Sequence, residues 1–168
     1  MCFLMFNARV HDLIYQKSNI QYRLHKITRK LMDLQQYSSL IANGEIRPET
    51  LAAIPGSMLG RTLNYLTTAN NSATAYMHQT APYVQQMWAQ QNPQQQQMMS
   101  VFIMQQLYNQ GRDRALQVET KLLKVDEDKL KQEKEKLETL AQAVEQELKA
   151  AKEARNKGLQ DMAPKYTA

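Results

Sequence analysis

Between Phe6 and Ile41 an apolar side chain stands at positions 6, 10, 13, 20, 24, 27, 31, 34 and 41, an alternation of threes and fours broken only at Lys17 and Ser38. This is a heptad seam. A helix that carries one must lay it against another helix along its length. No Gly or Pro occurs from Leu4 to Ala42, and Asn43-Gly44 supplies the left-handed stop that ends helices. The spacing predicts a helix over residues 4–43, roughly 58 Å long at the helical rise. Leu13, Ile20, Leu24, Ile27, Leu31, Leu34 and Ile41 form its expected intramolecular seam.

A second seam runs near the other end of the chain. Leu116, Leu123, Leu130, Leu137, Val144 and Ala151 recur every seven residues, with Leu122, Val125, Leu140 and Leu148 broadening the stripe. Between 126 and 136 only Leu130 is apolar, which marks a weak stretch of seam. Asn92-Pro93 reads as a cap followed by proline at the first helical position, and Pro164 as the stop, so one helix of about 105 Å is expected. Glu127–Lys131, Glu145–Lys149 and Glu153–Lys157 are spaced as i,i+4 pairs, each contributing a few tenths of a kcal/mol to a solvated helix. Gly111 falls inside the expected helix and reads as a bend.

Residues 44–56 read as a connector, with Pro48 opening a short helical turn and Pro55-Gly56 closing it. Ser57 is the expected N-cap of central helices over 57–91, with a break near Asn70-Asn71-Ser72 and a kink or boundary at Pro82. Residues 85–110 contain many Gln. Met98, Met99, Phe102, Ile103, Leu107 and Tyr108 nevertheless fall on one broad helical face, so helix rather than a disordered tract is expected. The Met-rich face suits core filling or a subunit contact, as do Tyr76, Tyr83, Met87 and Trp88, since almost no positive charge accompanies them.

The fold class is therefore all-α: an elongated helical bundle or hairpin with long coiled-coil-like N- and C-terminal helices. Residues 1–125 are expected to form the bundle. Residues 126–168 are expected to project as a charged helix with a short tail, and to meet another molecule through Leu130, Leu137, Leu140, Val144 and Leu148. A second topology lays helix 1 antiparallel on the last helix, with 44–92 as a compact tip.

The net charge of +5 sits unevenly. Residues 1–47 carry most of the excess, and Arg23, Lys26, Arg29 and Lys30 form a candidate face for an anionic partner. A solvated face pairing with the acidic residues of the last helix is the more ordinary reading of such a strip. Nucleic acid is an unlikely but open partner. His11 and His25 lie about 21 Å apart on a helix and cannot share a metal ion within one chain. No Gly-rich phosphate loop, Cys/His cluster or nucleophile motif occurs, so no catalytic residue, cofactor or metal is expected and the chain reads as a non-enzyme.

Cys2 is the single cysteine, and the Met1–Phe6 run is too short for a membrane span or a signal-peptide core. Synthesis in the cytoplasm without a recognisable signal peptide is expected, with the final location open. Three roles fit: a structural protein that self-assembles as a filament, virion or cell-envelope component; a cytoplasmic adaptor or secretion chaperone holding another helical protein; and an architectural nucleic-acid binder. The layout has a general likeness to exported helical filament subunits but carries no family motif.

Overall fold

The computed structural model describes residues 2–44, 46–88 and 93–162, without the side chains at 2, 3, 48, 87, 88, 93–98, 161 and 162. The cap expected at Asn92, the packing of Met87, Trp88 and Met98, and the stop at Pro164 lie outside the described residues. The protein is all-α, with no strand among the described residues. Helix α1 spans Cys2–Ala42, α2 spans Leu59–Trp88 and α3 spans Pro93–Met162. Two short 3-10 turns, Pro48–Ala53 and Gly56–Met58, lie between α1 and α2. The chain divides into two compact units, residues 1–31 with 128–168 and residues 32–127, and both α1 and α3 contribute to each.

In the first unit α1 lies antiparallel on α3. Val10, Leu13, Ile20, Ile27 and Leu31 share a buried core with Leu137, Val144, Leu148 and Ala151, and Leu24, Leu130 and Ala141 pack at its margin. Each fully buried Leu or Ile contributes about 1.5–3 kcal/mol relative to exposure. Charged pairs flank the core in antiparallel order: Arg9 to Glu147, Lys17 to Glu145 at 3.0 Å, and Arg23 to Glu133 at 4.0 Å. Lys17, the lysine that interrupts the first seam, is thus answered by an acid on the facing helix.

This corrects the expected division of labour. The last helix does not project freely from residue 126 over its described length. Leu137, Val144 and Leu148 are buried inside one chain, Leu130 is half-buried against the same core, and only Leu140 stays exposed. The reason is economy of apolar surface: two heptad seams on one chain satisfy each other without a second molecule. Glu145 accepts from Lys17 across the seam, while the charge of Lys149, its expected i,i+4 partner, acts on the same carboxylate.

In the second unit the end of α1 joins α2 and the start of α3. Leu34, Tyr37, Ile41, Ile46, Ile54, Tyr65, Ala69, Ala115 and Leu123 form its core. Tyr37 is fully buried while Ser38 is half-buried, because a helix covered by two neighbours buries a wider arc than a two-helix seam does. Gly44 ends α1 at φ +68, and its N–H donates to the Ile41 carbonyl at 2.9 Å. Ser57 is not an N-cap. Helix α2 is entered through the Gly56–Met58 turn, and the Ser57 hydroxyl donates to Asp33 Oδ2 at 2.6 Å. Nor does α2 break at Asn70–Ser72 or end at Pro82; it runs through both. Asn70 instead turns its side-chain oxygen to α3, accepting from the Tyr108 hydroxyl at 3.0 Å.

Gly111, expected as a bend, has a packing role. It lies within the continuous α3, and a Cβ added there would meet Ala73 Cα of α2 at 2.5 Å and the Ser72 carbonyl oxygen at 3.0 Å. The glycine permits close backbone approach between α2 and α3. We expect Gly111→Ala to lower stability by about 1–3 kcal/mol through overpacking, outweighing the gain in helix propensity of about 1 kcal/mol. A chemical-denaturation midpoint that rises instead of falling would show that the helices are not held this close.

Candidate interaction surface

The chemistry of the first unit is that of a closed coiled coil. On its rim Glu147 accepts from Arg9, which also donates to Asp12 at 2.9 Å. The hydrogen bond and charge of Lys17 hold the Glu145 carboxyl below the usual value for a glutamate. Of the basic strip, Arg23 reaches Glu133 at 4.0 Å and all four cations are exposed. Lys26, Arg29 and Lys30 stand in solvent on a helix whose partner carries acids among its lysines, the arrangement of an ordinary solvated face.

The second unit holds a more deeply placed cluster. Arg61 on α2 donates to Glu119 at 2.6 Å and to Asp126 at 2.7 Å, bridging two turns of α3. Arg114 lies 4.3 Å from the centre of the Tyr76 ring, a cation–π contact. Both arginines line an open groove of about 660 Å³ between α2 and α3, with Asn64, Thr68 and Val118. Its cations are engaged within the protein, so the groove presents no uncommitted charge to a ligand. Among the described residues no three His, Cys, Asp or Glu side chains stand where they could hold a metal ion. No described helix is long and apolar enough to cross a membrane.

Beneath this cluster the Tyr37 hydroxyl is buried, with no hydrogen-bond partner within bonding geometry among the described residues. The hydroxyl of nearby Thr62 donates to the Met58 carbonyl at 2.9 Å. Burial pushes the Tyr37 pKa up to about 12, and the negative charge of Glu119 pushes it the same way.

A feature that residue-by-residue motif reading passes over lies on the hairpin of α2 and α3. Residues 62–111 contain no Asp, Glu, Lys or Arg, so the chain's 21 basic and 16 acidic residues all fall outside that stretch. Counting charge over residues 48–110 as a block hides this, because Glu49 and Arg61 balance. The stretch is not closed over its apolar side chains. Among the described side chains of 74–107 only Val84 is buried. Tyr83 is 72% exposed, Val101 67% and Phe102 61%, and Met99 is exposed as well. Polar contacts within the hairpin are uncharged at one end or both: Tyr108 to Asn70, Tyr76 to Gln110, and Arg114 over Tyr76. The expected Met-rich face of α3 is thus divided, with Ile103 and Leu107 half-buried while Met99 and Phe102 face solvent.

Compared with known proteins, the chain matches no family model, no curated protein and no solved structure.

Two measurements check this account. Leu137→Ala is expected to cost about 2–5 kcal/mol in urea unfolding, and Leu140→Ala, on the exposed side of the same helix, less than about 1 kcal/mol; equal costs would contradict the placement of the α3 seam. Raising the pH gives the second. A tyrosine whose folded pKa lies at about 12 keeps its proton when the unfolded chain, at an ordinary value of 10.0, has lost it. Its stabilising contribution is therefore complete below pH 10 and falls away as the pH climbs towards 12. Tyr37→Phe is expected to flatten the fall in denaturation midpoint over that window, and an unchanged alkaline slope would contradict it.

Proposed function

We propose that this protein is a non-enzymatic structural component that self-assembles through its helices. The observation that carries the reading is the apolar surface left on the α2–α3 hairpin after both heptad seams have been used within the chain. Tyr83, Met99, Val101 and Phe102 are each exposed within one stretch without charge, and exposed apolar side chains on a folded chain are what an interaction site offers. The settings proposed for such a component are a filament, a virion or a cell envelope. The engaged state of Arg61 and Arg114 supports a structural rather than a catalytic use of the α2–α3 groove.

An adaptor or secretion chaperone would use the same exposed surface to hold a different protein. The two readings separate in the isolated chain. Self-assembly predicts a light-scattering mass at a multiple of 19.4 kDa that grows with concentration. An adaptor predicts a defined small oligomer whose mass does not grow with concentration, with added mass only when its partner is supplied. A monomer at every concentration would remove the self-assembly reading.

A further inference from the structure

We propose that the uncharged hairpin of α2 and α3 is the docking surface for a second copy of this chain, hairpin against hairpin. The proposal rests on the self-assembly reading and names its contact.

The first argument is the missing third helix. Around Leu34, Tyr37 and Ile41, α1 covers the α2–α3 pair and a core forms. That core draws no described residue from 74–107, and Val84 is the only buried side chain described there. Two antiparallel helices alone bury little of their surface, whereas two such pairs together make a four-helix bundle with an interior. The second copy supplies the same two helices that the first lacks.

The second argument is charge. In a two-fold contact the same patch appears on both sides. A chain of net charge +5 that met its copy through a charged face would set like charges against one another. Residues 62–111 are free of that penalty. Their polar side chains are chiefly Gln, Asn, Thr and Ser, and an amide both donates and accepts, so it is its own complement. The same lack of charge argues against the other occupants. The stretch has no cation for phosphate or an anionic bilayer and no acid for a basic partner. Its many amides also oppose burial in hydrocarbon. Met99 and Phe102, three residues apart on α3, share one strip, and Val101 and Tyr83 are further exposed apolar side chains of the same uncharged stretch.

The test introduces charge where the structure has none. Val101→Lys/Phe102→Lys and Val101→Glu/Phe102→Glu alter exposed side chains on a helix, and Lys and Glu are better helix formers than the residues they replace. Helical content by circular dichroism is expected to be unchanged. Each variant alone is expected to fall from the oligomeric mass of the wild type to 19.4 kDa. A mixture of the two is expected to regain the oligomer, because opposite charges then face each other. Wild-type mass in both variants, or no reassociation on mixing, overturns the proposal while leaving self-assembly standing through another face. A wild type that is monomeric overturns both readings. A monomeric wild type that floats with neutral phosphatidylcholine vesicles, and ceases to when residues 101 and 102 are charged, assigns the surface to lipid and likewise overturns the proposal.

Discussion

The packing of α1 against the C-terminal part of α3 decides what the remaining surface is available to do. Each helix carries a heptad stripe that cannot stay in water, and each stripe has two possible partners: the other stripe or another molecule. Val10, Leu13, Ile20 and Ile27 meet Leu137, Val144, Leu148 and Ala151 in one chain. An intramolecular partner is held at high effective concentration by the intervening chain, so it outcompetes an equal seam on a free copy. With those stripes consumed, any contact between molecules would use surface outside them.

Much of the architecture was legible. The Phe6–Ile41 alternation, the Asn43-Gly44 stop and the seven-residue recurrence from Leu116 are local patterns, and local patterns determine helix type and extent. What periodicity does not encode is partnership. Leu137 and Val144 look the same from the sequence whether they meet Leu13 or a second molecule, and the choice of a projecting helix over the antiparallel alternative had only loop length to guide it. Tyr37 was missed for a related reason: it is buried because α1 has two neighbours there, and a stripe drawn for one neighbour omits it. Gly111 was read as a bend because a glycine's cost in a helix is a local property. Its use, a close approach to Ala73, depends on a residue 38 positions earlier in the chain.

The candidate surface shows the converse. Its defining property, the absence of ionised side chains from 62 to 111, was present in the sequence throughout. Periodicity analysis rewards apolar positions and motif analysis rewards particular residue types, and neither registers what a stretch lacks. The burial pattern makes the absence meaningful. A charge-free stretch with a well-filled interior would be an ordinary core, but here Tyr83, Val101 and Phe102 are largely in solvent.

Register is set in two different ways along the chain, and the difference bears on association. On the α1–α3 seam it is marked by charge, with Arg9, Lys17 and Arg23 meeting Glu147, Glu145 and Glu133 in reverse order. On the α2–α3 hairpin it is marked by shape, through the Gly111–Ala73 approach, and by uncharged hydrogen bonds such as Tyr108 to Asn70. Charge pairing discriminates strongly between right and wrong partners, because a mismatched ion loses its solvation and gains repulsion. Shape and amide pairing discriminate less and tolerate a copy of themselves. This segregation is compatible with the proposed contact: the charged seam is closed within the chain, and the uncharged hairpin would set no like charges against a second copy.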